Sequence, residues 1–210
     1  MTAKGVDSSV RYFAHSEVRE SQSDMIEDGI ESLLSEGSLM ALAPTGIGKT
    51  AAALASAISV QRASSDNLKI LFLTSRQSQH RIVVDTVQKI NQKLGQTEPS
   101  IKLVDLIGRE GMCQNVDRMS GKCDCEDDLD GSMRDELRAE MQANILLKPT
   151  HVDDLIQNSR RINLCAWATA REAVKSCNIL VCDYNHVFID SVREASLPSM
   201  GVDIENTILI

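Results

Sequence analysis

The eight residues Ala43-Pro44-Thr45-Gly46-Ile47-Gly48-Lys49-Thr50 carry the types and spacing needed to hold a polyphosphate. They follow an apolar run, Leu39 to Leu42, and precede an Ala-rich stretch, Ala51 to Ala63, so the context reads as strand, loop and helix. Gly46 and Gly48 let the backbone turn and bring its N–H groups within reach of phosphate oxygens, where a side chain would intrude. Thr45 and Ile47 complete the turn. Lys49 can neutralise the β- and γ-phosphates, the Thr50 hydroxyl can ligate Mg²⁺, and the helix behind adds its positive dipole end. The general pattern places glycine where this chain has Ala43. A nucleoside triphosphate with Mg²⁺ is the expected ligand.

Cysteines form the second group able to do chemistry. Cys113, Cys123, Cys125 and Cys165 fall in one irregular segment, whereas Cys182 lies in an apolar run and Cys177 ends a helical pattern. The last two read as small buried hydrophobes. The other four sit among acidic and polar residues, with little apolar material to offset the entropy of ordering them, and a metal centre held by thiolates would offset it. Zinc favours paired ligands two to four residues apart, but the tightest pair here is Cys123-x-Cys125. Spacing alone leaves an iron–sulfur centre, zinc and unligated thiols all open. Disulfides are not expected: no apolar leader precedes Val10, and no run approaches the length of a membrane span, so we expect a soluble intracellular chain with reduced thiols and no membrane partner.

These groups need elements to position them. Met25, Ile26, Ile30, Leu33 and Leu34 share a helical face that Gly37 closes; Val83, Val87, Ile90 and Leu94 share another. Leu39–Leu42, Ile70–Leu73, Ile101–Leu106, Ile179–Cys182 and Thr207–Ile210 read as short apolar strands of a parallel sheet covered on both faces. Strand–helix alternation gives an α/β class. It is interrupted between Gly108 and Cys165, where two polar helical patterns (Met133 to Ile145, Val152 to Ile156) and the cysteines point to an inserted subdomain. A net charge of −8 argues against binding driven by an overall positive field, and leaves room for a local basic groove.

Taken together, the motifs resemble those of the XPD/DinG-like iron–sulfur helicases of superfamily 2, in order and over nearly the whole chain. Phe13 followed by Arg19-Glu20-Ser21-Gln22 looks like that family's adenine-side motif, and Ala43–Thr50 matches its A-P-T-G-x-G-K-T loop, which explains the alanine. Thr74-Ser75-Arg76-Gln77-Ser78-Gln79 looks like motif Ia, and Gly108-Arg109 like the lead into the first cluster ligand. Cys165-Ala166-Trp167 is similar to the last ligand, with alanine in place of the usual proline, and Asp183-Tyr184-Asn185-His186 resembles the turn that follows. The resemblance implies a RecA-like lobe over residues 1–106 and 167–210 with an iron–sulfur insertion over 107–166. It implies ATP, Mg²⁺ and a 4Fe–4S cluster on Cys113, Cys123, Cys125 and Cys165 as cofactors. It also implies nucleic-acid contacts by Arg76, Gln79 and Arg109, and 5′–3′ movement on single-stranded or forked DNA in the cytoplasm, nucleoid or nucleus. In that family an Asp-Glu-Ala-His run follows the strand that Thr207–Ile210 represents. We therefore expect an N-terminal fragment of a larger helicase, inactive alone. The rival reading is a non-catalytic module that binds nucleic acid or a protein partner around a metal centre. Arg134, Arg138, Arg160 and Arg161 are expected on solvated helix faces, and His15, His80, His151 and His186 show no ligand spacing.

Overall fold

The computed structural model describes residues 10–113, 115–117, 119–120, 124, 126 and 129–210. Its helices are α1 (Glu20–Leu34), α2 (Lys49–Ala63), α3 (Gln77–Leu94), α4 (Arg109–Met112), α5 (Gly131–Leu147), α6 (Val152–Arg160), α7 (Ala166–Val174), α8 (Asn185–Phe188) and α9 (Asp190–Ser196). The strands are β1 (Lys69–Leu73), β2 (Leu103–Asp105), β3 (Ile179–Cys182) and β4 (Thr207–Leu209). They form one four-stranded sheet in the order β2-β3-β1-β4, with every pair parallel.

Successive side chains of each strand enter opposite cores, as the period of two requires. Ile70, Leu103, Ile179, Val181 and Ile208 join the cluster under α1, α2 and α3, together with Ile26, Leu54, Ile58, Val83, Val87 and Ile90. Leu71, Leu73, Val104, Leu180 and Cys182 join the other cluster, with Ile145, Val152, Leu155, Ala170 and Val174. Both faces being covered, the strands read as unbroken apolar runs. Helix α2 is buried nearly all round because alanines and serines let neighbours come close. A Cβ on Gly29 of α1 would lie 2.6 Å from Ser56 Oγ of α2. Across the molecule, the buried Lys69 Nζ donates to the carbonyls of Val174, Lys175 and Cys177 at 2.9, 3.3 and 3.1 Å, satisfying the end of α7.

Two expectations change. Leu39–Leu42 is not a strand: Met40 and Leu42 are fully exposed, and β1 already has both edges paired, by β3 and β4. An apolar run becomes a strand only when a neighbour takes up its N–H and C=O groups, and none of the four strands does so. Among the described residues, the helices of 131–160 also build no core of their own. Their buried apolar side chains, Ile145, Val152, Leu155 and Ile156, share the second sheet face with Leu71 and Leu180. Among the described residues no helix is long and apolar enough to cross a membrane.

Candidate functional site

The turn into α2 is shaped by glycine. Gly46 and Gly48 both take φ of +82°, which side-chain-bearing residues rarely adopt. Gly48 is the N-cap and supplies no side-chain acceptor, so the first N–H groups of this 15-residue helix are not capped from that position. Thr45, Gly46 and Lys49 are exposed, and Ile47, Gly48 and Thr50 half-buried. Lys49 Nζ donates to the carbonyls of Ala43 (3.1 Å) and Pro44 (3.0 Å), which closes the turn around its ammonium. Exposed N–H donors, a helix dipole and a lysine in one turn are what an anion needs.

Helix α1 supports this turn from behind. The buried Gln22 amide donates from Nε2 to Ile47 O at 2.6 Å, and its Oε1 accepts from Arg19 N–H at 2.9 Å. Of the residues expected at the adenine, Gln22 is thus committed to holding the turn before α2, while Arg19 is exposed on the same helix end. Phe13 differs from expectation. It is fully buried in the core beside Tyr12, with its ring edge-on to His15 at 5.5 Å, so its faces are taken up by protein.

A second turn leads from β1 into α3. Arg76 is exposed at the N-cap of α3 and Gln79 is half-buried in its first turn. Thr74 N–H donates to Cys182 O at 3.0 Å, which sets this turn beside the Asp183–His186 segment at the ends of parallel strands. Beneath it lies a buried polar cluster for which the sequence offered no spacing signal. His80 Nδ1 is 2.5 Å from Asp105 Oδ1, His80 Nε2 is 3.1 Å from Thr74 O, and Asp105 Oδ2 accepts from Val152 N–H at 2.9 Å. His151 Nδ1 accepts from Arg81 at 3.1 Å, and its Nε2 faces Gln77 O at 3.4 Å. His80 and Asp105 are 25 residues apart on different elements, so only the fold brings them together.

The thiols separate as their surroundings dictate. Cys113 and Cys165, both buried, line one cavity of about 170 Å³ with Met112, Ile156, Ser159 and Leu164. Ser159 Oγ is buried there with no hydrogen-bond partner among the described residues. Cys165 Sγ accepts from Ala168 N–H at 3.5 Å, and Cys165 N–H donates to Glu126 at 2.9 Å. Glu126 also accepts from Arg138, so Arg138 fastens α5 to this cysteine instead of lying on a solvated face. Cys123 and Cys125 lie outside the described residues, and among those described no three side chains of ligand type gather as a metal site. Burial pushes the Cys177 thiol up to about 11 and Cys182 higher still, as inert hydrophobes should behave. Arg109 and Arg171 stack on Trp167, their guanidinium carbons 4.8 and 4.5 Å from the ring centroid.

The family model DEAD_2 matches residues 52–210 of the chain. Among solved structures the chain is similar to an XPD helicase, with 16% identity and a TM-score of 0.59 over 93% of this chain. It spans 32% of that protein's length, and at that identity the likeness is one of fold.

Proposed function

The chain belongs to the DEAD_2 family, and from that premise we propose that it is the nucleotide-binding, RecA-like lobe of an ATP-dependent helicase that moves 5′–3′ along single-stranded DNA. The observation that carries the reading is the turn at Gly46 and Gly48, whose left-handed backbone aims the start of α2 at the exposed face where Lys49 lies. Gly46, Ile47 and Gly48 present backbone donors to the phosphates, Lys49 exchanges the Ala43 and Pro44 carbonyls for phosphate oxygens, and Thr50 ligates Mg²⁺. Thr45 borders the loop, and Arg19 flanks it from α1. Arg76, Gln79 and Arg109 contact the strand's phosphates.

Cys113 and Cys165 fit a thiolate-bound centre, since both line one cavity that also holds the Ser159 hydroxyl, without a partner among the described residues. With Cys123 and Cys125 they would hold a 4Fe–4S cluster, which when bound cross-links segments distant in sequence and can exchange an electron. We expect these 210 residues by themselves to bind ATP with negligible turnover. The net charge of −8 favours the second reading, a binding module without catalysis. The two readings separate in one experiment, the affinity for single-stranded DNA with and without ATP and Mg²⁺. The helicase lobe requires affinity that changes with nucleotide; affinity indifferent to ATP leaves the binding module.

A further inference from the structure

The buried cluster beneath the second turn holds a proton whose position the geometry fixes. Thr74 O can only accept, so His80 Nε2, 3.1 Å away, carries a hydrogen. His80 Nδ1 faces Asp105 Oδ1 at 2.5 Å, and both side chains are essentially sealed from water. Both ring nitrogens therefore point at acceptors, and one further proton lies between Nδ1 and the carboxylate. Burial alone lowers the His80 pKa. The Asp105 hydrogen bond and charge, with smaller help from the Thr74 carbonyl and from Asp183, outweigh burial and raise it. The second histidine is assigned as readily. His151 Nδ1 accepts from Arg81 and from Asp153 N–H (3.2 Å), which leaves its hydrogen on Nε2, facing Gln77 O and lying 3.8 Å from Asp105 Oδ2. Arg81 is in turn paired with Asp153 and Asp154.

We propose that His80 and Asp105 are positioning residues that hold the Thr74–Gln79 turn through a shared proton and tie it to the start of α6. The turn is gripped at two carbonyls, Thr74 by His80 and Gln77 by His151, while the Asp105 carboxylate serves both His80 and the first N–H of α6. Helix α6 also lines the cavity of Cys113 and Cys165 through Ile156, Ser159 and Arg160. A displacement of the turn is thereby coupled to the cysteine-bearing segment through one carboxylate. Because the folded-state His80 pKa is raised, the grip is complete below the ordinary histidine pKa and is lost as pH rises through the folded value. The claim that this geometry serves nucleic acid rests on the reading of Arg76 and Gln79 as strand contacts.

Two variants of the full chain test the proposal. Asp105→Asn keeps the shape and lets His80 Nδ1 accept from the amide, so it removes the charge alone. H80L/D105L removes both charges together and so avoids stranding either one. The readouts are ring ¹⁵N shifts of His80, amide hydrogen exchange at residues 74–79 and 152–156, and affinity for a fluorescein-labelled oligo-dT, each followed against pH. We expect imidazolium shifts in the wild type that persist above the ordinary histidine pKa, and exchange in both segments that rises together as His80 deprotonates. In Asp105→Asn that pH dependence vanishes. In the double variant exchange at 74–79 is faster and oligo-dT binds about fivefold more weakly. A neutral His80 ring in the wild type, or variants with unchanged exchange profiles, overturns the proposal. Should the wild type not bind oligo-dT at all, the strand-contact reading fails, while shifts and exchange still decide the positioning role.

Discussion

The turns that lead into α2 and α3 are built by opposite means. The first is made by backbone: two left-handed glycines, and a lysine that folds onto its own loop. The second is held by buried side chains: His80 of α3, Asp105 of β2 and His151, the N-cap of α6. The consequence is a difference in what each can tolerate. A turn held by its own backbone can leave its donors exposed to a ligand without endangering the fold. A turn held by a buried ion pair is fixed in place, but its integrity is bound up with the stability of the whole lobe.

The sharpest way to break this comparison is to remove one partner of the ion pair. His80→Leu strands the Asp105 carboxylate in a site with 0% side-chain exposure, and we expect a loss of about 3–5 kcal/mol in denaturant unfolding. Next come the glycines, which should affect the first turn unequally. An alanine at either pays for its positive φ, about 1–2 kcal/mol, but a Cβ at Gly48 would also meet Gln22 Nε2 at 2.8 Å, whereas nothing lies within 4 Å of one at Gly46. Thermal unfolding should rank Gly48→Ala below Gly46→Ala, and equal melting would break the account of Gln22 as a buttress. A smaller effect follows from protonation. His80 has a raised pKa in the fold, so its contribution is fully present below about pH 6.5 and fades as pH climbs through the folded value; His80→Leu should abolish that part of the stability profile. The smallest effect belongs to the exposed Arg76. Arg76→Ala should leave unfolding unchanged and reduce the salt slope of oligo-dT binding by about one unit.

Legibility follows the same division. The glycine turn into α2 was legible because its information is local, with glycine, lysine and threonine adjacent in one octet. Strand β3 was read with the bounds it has, and β1 to within a residue, because central strands of a doubly covered sheet are apolar throughout. Leu39–Leu42 has the same composition and is not a strand, since pairing depends on a neighbour and not on the run itself. His80 and Asp105 were illegible because nothing in a histidine or an aspartate says that a residue on another element will meet it. Arg138 was misread for a similar reason: its helical pattern is polar, yet it donates to Glu126, which also accepts from the Cys165 N–H. Phe13 shows the limit of motif placement, because an aromatic before a helix serves equally as a packing residue, and here it is in the core.

The central claim is that the first turn receives a nucleoside triphosphate. Its most direct test is equilibrium titration of the chain and of Lys49→Ala with a fluorescent, non-hydrolysable ATP analogue in the presence of Mg²⁺. Lys49 is exposed and, among the described residues, bonded only to carbonyls of its own loop, so its removal should leave the fold intact. The account predicts saturable binding that Lys49→Ala weakens by about ten- to a hundredfold, the loss of one charge-assisted contact. Binding indifferent to Lys49, or no binding by a chain that is folded, would contradict it.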